Sequence, residues 1–364
     1  MPRFDIFQIV LKLNEMDRLD MIPIDNSPRS RLDARKKHLL KVCANLTLSD
    51  TILEQRTLEI TMAYGKLKLC GLEKTASTFM RSLRYREDTM NFKRQKAGLS
   101  PYKSEDGSYK TFIIVREPYG RLLSAYIDKL YSRSSWWGQG KYIIENFRYH
   151  ATHQSKQCGS DVSFAEFIRY WIHSQETDLR GDGHFNPMHR ECQFCHFDYD
   201  YYVHMETIQK DMEFVYKETN TTLIRAMDDE EFTMRDKAAD IIKQRDSGAF
   251  RGCEEVCAML DRAWWTFHAR GLIASDVPQP LKEDQCVEIE QSQFEDLVWK
   301  SHVESKERID KVKQRRQAMV DLYLTVPLLD RLKVRNILLR DFNLHGYESL
   351  PVDMFPELGR NHVV

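Results

Sequence analysis

Two segments repeat one local pattern: a short apolar strand, a polar loop, then a helix. The first is 66–81, KLKLCGLEKTASTFMR, and the second is 111–130, TFIIVREPYGRLLSAYIDKL. Alternation of this kind argues for an α/β fold, a central parallel sheet flanked by helices. Each segment also places cations and hydroxyls where the strand ends and the helix begins. That junction suits anions, because helix N–H groups and the positive end of the dipole converge there. Two such junctions point to a ligand with two separate phosphate-type groups.

The rest of the composition makes any anion site a local one. The formal net charge is −1 over 364 residues, which gives no overall attraction to nucleic acid or membrane. Hydrophobic residues at 42% suffice for a real core. No stretch approaches about 18 apolar residues, the length of a membrane span. The best leader candidate, Phe4–Leu13, is broken by Asp5, Gln8 and Lys12 and makes a poor signal peptide.

Residues 1–50 read as a stem or N-terminal extension. Their basic run (Arg29, Arg31, Arg35, Lys36, Lys37, Lys41) is expected to be a solvated face. Residues 51–364 read as one domain. The expected strands are Lys66–Cys70 and Thr111–Val115, and the expected helices Ser77–Arg86 and Tyr119–Tyr131. Between them lies a polar excursion over 88–109. A Trp-rich loop follows over Ser134–Gly140, then an amphipathic helix over Ser163–His173 with Phe164, Phe167, Ile168 and Trp171 on one face. Further helices are expected over Ser305–Leu324 and, after Pro327, over Leu328–Asp341.

In the first loop Gly71 lets the backbone turn, Lys74 supplies a cation, and Thr75, Ser77 and Thr78 supply hydroxyls. The spacing lacks the glycine-lysine of a Walker A loop, which disfavours nucleotide hydrolysis and a kinase-like enzyme. In the second, Arg116 follows the run FIIV at the carboxyl end of its strand, where ligands of open α/β sheets bind. Pro118 fits the first turn of the next helix. Arg116 can grip a phosphate in a fork and Ser124 can add a hydroxyl bond; the structural alternative pairs Arg116 with Glu117 or Asp128.

CGLEKTASTFMRSL resembles the 5′-phosphosulfate loop of sulfotransferases. FIIVREPYGRLLSAYIDKL resembles their 3′-phosphate segment, as written in the Golgi carbohydrate sulfotransferases. A third block, HFNPMHRECQFCHFDYDYYVHMET over 184–207, resembles a motif of the chondroitin 4-O, dermatan and HNK-1 sulfotransferase branch, with Phe185 where tryptophan is usual. LLRDFNLHGY resembles the closing helix of that branch. The resemblance implies a P-loop-like sulfotransferase fold and 3′-phosphoadenosine 5′-phosphosulfate (PAPS) as sulfate donor, with no metal. Lys74, Thr75, Ser77 and Thr78 match the residues around the 5′-phosphosulfate, and Arg116 and Ser124 the pair on the 3′-phosphate. It also implies a glycan acceptor, such as a chondroitin/dermatan-type glycosaminoglycan sulfated at N-acetylgalactosamine O4, and a type II membrane protein of the Golgi lumen. The alternative is an inactive relative that binds glycan.

Lys74 is then the residue that neutralises the leaving group. For the general base His184 is the first candidate and Glu73 the second. Arg81, Arg84, Arg86, Arg133 and Lys141, with Trp136 and Trp137, are candidates for a basic acceptor groove. The eight cysteines and the sequons at Asn45 and Asn220 fit an oxidising lumen and a glycoprotein; Cys192-x-x-Cys195 also permits zinc, so disulfide and zinc readings both stand.

Overall fold

The computed structural model describes residues 27–45, 59–63, 66–100, 108–132, 136–177, 182–220, 230–248 and 251–359. They fall into two compact units: Met1–Arg121 with Arg180–Met227 and Arg335–Val364, and Leu122–Leu179 with Asp228–Val334.

The first unit is built on a four-stranded sheet of order β1 (Glu59–Met62), β2 (Leu67–Cys70), β3 (Lys110–Val115) and β4 (Tyr201–His204). Strands β2, β3 and β4 are parallel, as the repeated strand-loop-helix pattern requires. β1 is antiparallel to β2, which departs from an all-parallel sheet. Its link to β2 is only residues 63–66, far too short for a crossover helix; Ala63 takes a left-handed φ of 53° to close the turn.

β3 explains the unbroken run FIIV. It lies between two strands and is covered on both faces, so both side-chain sets must be apolar. Phe112 and Ile114 join Leu67, Leu69 and Val203 on one face, against Met80, Leu83, Met212 and Val215. Ile113 and Val115 join Cys70 and Tyr202 on the other, against Leu39, Met188, Phe194 and Leu344.

Helix α1 (Pro28–Ala44) precedes the sheet, α2 (Ser77–Lys96) follows the first loop, and α3 (Pro118–Tyr126) follows the second. α2 runs ten residues beyond the expected Ser77–Arg86, consuming the first part of the polar excursion. Nothing from Glu87 to Lys96 breaks a helix, and the chain turns only at Gly98, with φ 72°.

The basic run in α1 is not simply a solvated face. Arg31, Leu32, Arg35, Leu39 and Val42 form its buried stripe. Arg31 Nη2 and Arg35 Nη1 lie 2.5 and 2.6 Å from the two oxygens of Asp211, which is fully buried. Arg35 and Asp211 also share the Thr207 hydroxyl, at 2.9 and 2.5 Å. A buried carboxylate far along the chain turns two of the six cations inward.

The second unit is helical among the described residues. Ser163 caps the helix Phe164–Glu176 in a reciprocal box with Glu166, and Phe164, Phe167, Ile168 and Trp171 are buried as expected. The Trp-rich loop is instead the start of a helix, Trp137–Phe147. Trp137 is buried in a core with Leu260, Trp264, Phe267 and Phe294, and the Arg262 guanidinium lies over its ring at 5.3 Å. The helix expected over Ser305–Leu324 is two helices, Gln291–Lys306 and Lys311–Leu324. Asp310 makes the break by capping the second, its carboxylate accepting from the N–H of Val312 and Lys313.

All eight cysteines pair: Cys43–Cys195, Cys70–Cys192, Cys158–Cys253 and Cys257–Cys286. Cys192 and Cys195 are therefore halves of two different disulfides, and the zinc reading falls. No helix among the described residues is long and apolar enough to cross a membrane.

Removing the carboxylate between Arg31 and Arg35 leaves two buried guanidinium groups uncompensated. Asp211→Asn is expected to lower unfolding stability by about 3–5 kcal/mol, read as a fall in the urea midpoint. A midpoint unchanged from wild type would show that the ion pair does not hold α1.

Candidate active site

The β2–β3 register pairs Cys70 with Ile113, so the two strands end side by side and both loops leave the same carboxyl edge. The loops touch: Arg116 Nη1 donates to the Lys74 carbonyl at 3.4 Å.

The first loop is shaped by two non-glycine residues in the left-handed region, Lys74 (φ 67°) and Ala76 (φ 64°). Such conformations cost about 1–3 kcal/mol each and persist only where the surroundings impose them. Ala76 is the N-cap of α2 and no side chain caps that helix, so its first turn presents N–H groups and the positive dipole end at the loop.

The hydroxyls divide unequally. Thr75 and Ser77 are only 2% and 3% exposed. The Thr75 hydroxyl donates to the Leu72 carbonyl at 2.9 Å, and the Ser77 hydroxyl to Glu73 Oε2 at 2.9 Å. Both protons are spent inside the loop, while Thr78 is exposed.

Glu73 is the loop's hub. Its carboxylate takes Ser77 on one oxygen and Arg81 Nη2 on the other at 2.6 Å. Burial pushes its pKa up, but the bonds from Arg81 and Ser77 and the charges of Arg81 and His184 outweigh burial, leaving it below the usual value. His184 Nε2 lies 3.5 Å from Glu73 Oε2. The other ring nitrogen, Nδ1, meets the Asp182 carboxylate, which also accepts the His184 backbone N–H at 2.8 Å. The two candidate bases, separate in sequence, are thus neighbours.

At the second loop Glu117 has a structural role of its own. Its carboxylate caps α3, accepting from the N–H of Tyr119 at 3.2 Å and Gly120 at 2.5 Å. The α3 N-terminus is thereby taken by the chain's own carboxylate. Ser124 lies on the later part of α3, which belongs to the second compact unit.

Residues that the sequence reading passed over hold these pieces together. Glu206 accepts the Glu117 backbone N–H at 3.1 Å and the Tyr347 hydroxyl at 2.7 Å. Asp341 accepts the N–H of Met188 and His189 at 2.7 and 2.8 Å and the His189 ring at 2.8 Å. The ring of Phe342 lies 4.8 Å from that of Tyr119. The Cys70–Cys192 disulfide joins the end of β2 to the end of the segment carrying His184. The signal for these roles lay in the third block and the C-terminal LLRDFNLHGY, which carry Glu206, Asp341 and Tyr347.

Of the residues expected to form an acceptor groove, Arg81 is committed to Glu73, Arg84 lies 3.7 Å from Asp88, and Trp137 is in the core of the second unit. Lys141 is exposed; Arg133 and the side chain of Arg86 lie outside what is described.

The profile of the sulfotransferase family matches residues 61–247, more than half of the chain. Carbohydrate sulfotransferase 11 of Rattus norvegicus is 36% identical over 113 residues, 30% of this chain and 32% of that protein. Carbohydrate sulfotransferase 14 of Danio rerio is 36% identical over 110 residues, 29% of each chain. Carbohydrate sulfotransferase 8 of Mus musculus is 32% identical over 109 residues, 29% of this chain and 26% of that protein. These matches span about a third or less of the length of the relatives. No solved structure matches.

Asp341 gives the site segment a dependence on acid. Burial pushes its carboxyl up, but the charge and ring hydrogen bond of His189 outweigh burial and hold it at about 2, against an ordinary value of 3.8. A folded pKa below the unfolded one stabilises fully above about pH 4, and that contribution is lost as pH falls toward 2. Between pH 5 and pH 2 wild type should therefore lose about 2 kcal/mol more than Asp341→Asn, measured by urea unfolding. Equal losses would show that Asp341 does not carry this linkage.

Proposed function

The chain belongs to the sulfotransferase family, and on that premise we propose that it transfers a sulfuryl group from PAPS to a carbohydrate hydroxyl. The observation that carries this reading is the meeting of two cationic loops at the carboxyl edge of adjacent parallel strands, Arg116 Nη1 being 3.4 Å from the Lys74 carbonyl.

The residues present fit such a donor. The side-chain-uncapped start of α2, Lys74 and the exposed Thr78 would hold the 5′-phosphosulfate, with Thr75 and Ser77 shaping the loop beneath it. Arg116, with Ser124 as the family resemblance implies, would hold the 3′-phosphate. When bound, the donor supplies the sulfuryl group and a phosphate leaving group. Lys74 then neutralises the charge that develops on the leaving oxygen.

Of the two base candidates the reading favours His184. Its Nδ1 is engaged by Asp182, which fixes the ring, and in this reading Nε2 is the nitrogen that takes the proton of the acceptor hydroxyl. Glu73 is held by Arg81 and Ser77 with a lowered pKa, a poor setting for a proton acceptor. Its carboxylate, 3.5 Å from Nε2, instead stabilises the imidazolium formed when His184 takes the proton.

The acceptor we propose is a chondroitin- or dermatan-type glycosaminoglycan, sulfated at O4 of N-acetylgalactosamine. The support is the third block and LLRDFNLHGY, whose residues form one hydrogen-bonded assembly. Residues 51–364 are the proposed transferase domain, with 1–50 as an extension whose helix α1 is tied to it by Cys43–Cys195. The four disulfides support an oxidising lumen, for which we propose the Golgi.

Lys74→Ala and Arg116→Ala are each expected to abolish most radiolabelled sulfate transfer to chondroitin, a loss of about 2–5 kcal/mol. Lys74→Ala should act mainly on kcat, and His184→Gln should cost about 10²–10⁴-fold in turnover. Titration calorimetry with 3′-phosphoadenosine 5′-phosphate should show binding to wild type, weakened in Arg116→Ala. Near-normal transfer by either cation variant would refute the assignment. Binding of glycan without binding of the nucleotide would instead support an inactive, glycan-binding relative.

A further inference from the structure

One buried charge of the first unit has no part in the donor contacts. Arg121 is the fourth residue of α3 and only 3% exposed. Its Nε donates to the Glu73 carbonyl at 3.0 Å, Nη1 to the Asn186 carbonyl at 2.5 Å, and Nη2 to the Gly183 carbonyl at 3.1 Å. The Glu73 carbonyl belongs to the peptide bond that leads into Lys74. The Gly183 carbonyl belongs to the peptide bond that leads into His184. One guanidinium thus grips the backbone immediately before both residues.

The arrangement is expensive for stability alone. Among the described residues no carboxylate forms an ion pair with Arg121; burial lowers its pKa, and the more distant charges of Asp341 and Glu191 only partly offset this. A buried cation satisfied by carbonyl oxygens keeps much of its desolvation cost, and an apolar side chain of similar volume often replaces buried charge without loss. What an apolar side chain cannot do is bridge carbonyls of two different segments. Arginine can, because its donors are fixed in a planar fork; the lysine ammonium is a single point.

We propose that Arg121 is a positioning residue that sets the separation and orientation of Lys74 relative to His184. The role rests on the sulfotransfer reading above, in which Lys74 serves the leaving group and His184 the acceptor. Residues on either side of a transferring group must keep their spacing through the reaction, and about 1 Å of misplacement can cost on the order of 100-fold in rate. Arg121 supplies that spacing from a third element, α3, which starts directly after Arg116. It therefore also fixes both residues relative to the second anion loop.

The test is Arg121→Lys in the full chain, with two readouts. The first is sulfate transfer. Turnover is expected to fall about 100-fold, while the acceptor KM changes less than about threefold, because the acceptor surface is untouched. The second needs no activity: amide hydrogen exchange by mass spectrometry. Exchange over 71–76 and 182–187 is expected to rise at least about tenfold, with β2 and β3 protected as in wild type, because only the gripped segments open locally. A merely structural arginine would raise exchange across the whole sheet and leave turnover per folded molecule intact, and that result overturns the proposal. Unchanged exchange at both segments overturns it as well. If wild type itself transfers sulfate to no glycan, the functional reading fails while exchange still decides whether Arg121 clamps the two segments. Should Arg121→Lys not be recovered folded, the same readouts on Arg121→Gln decide.

Discussion

The pairing of β2 with β3 is the contact on which the rest of the site depends. Because the strands run parallel and Cys70 sits opposite Ile113, both chains leave the sheet at one edge and turn into helices there. An antiparallel pairing would send the two loops to opposite edges and separate Lys74 from Arg116. The energy behind this register is apolar. Phe112 and Ile114 face one core and Ile113 and Val115 the other, so a slip of one residue would exchange the two faces and misplace both sets.

Around that edge the chain uses carboxylates to hold backbone. Glu117 caps its own helix, Glu206 secures the N–H of Glu117, and Asp341 secures the N–H of Met188 and His189. Each is a carboxylate accepting from backbone amides, a charge-assisted bond, and at the buried Asp341 low local dielectric strengthens it. At Asp341 the cost of burying the charge is offset by the use of both carboxylate oxygens. The consequence is rigidity in the segment that carries His184. Cys70–Cys192 adds a covalent limit, since the end of β2 and the end of that segment cannot separate.

Much of the local plan was legible in the residues. The strands at 67–70 and 110–115, the loop after each, and the capped amphipathic helix with Phe164 and Trp171 inside follow from periodicity and cap chemistry that act within a few residues. The errors have the same origin. α2 runs past Arg86 because charged residues do not end a helix, and the chain turns at Gly98. Trp137 reads as part of a loop in sequence, although its ring is buried in a helical core. Arg31 and Arg35 were taken as solvated because their partner, Asp211, is 180 and 176 residues away.

The sequence by itself determined which residue types stand at the two strand ends, and so that the site is cationic, hydroxyl-rich and suited to anions. It also determined the family, through blocks whose spacing is local. Only the tertiary structure decided which of those groups the chain's own bonds consume. Thr75, Ser77 and Glu117 bond their own loops, Glu73 and His184 become neighbours, and Arg121 joins two segments that share no local pattern. The physical reason is range. Propensity, capping and periodicity are set by neighbours a few positions apart, whereas a buried charge takes whichever partner chain closure brings within hydrogen-bond distance.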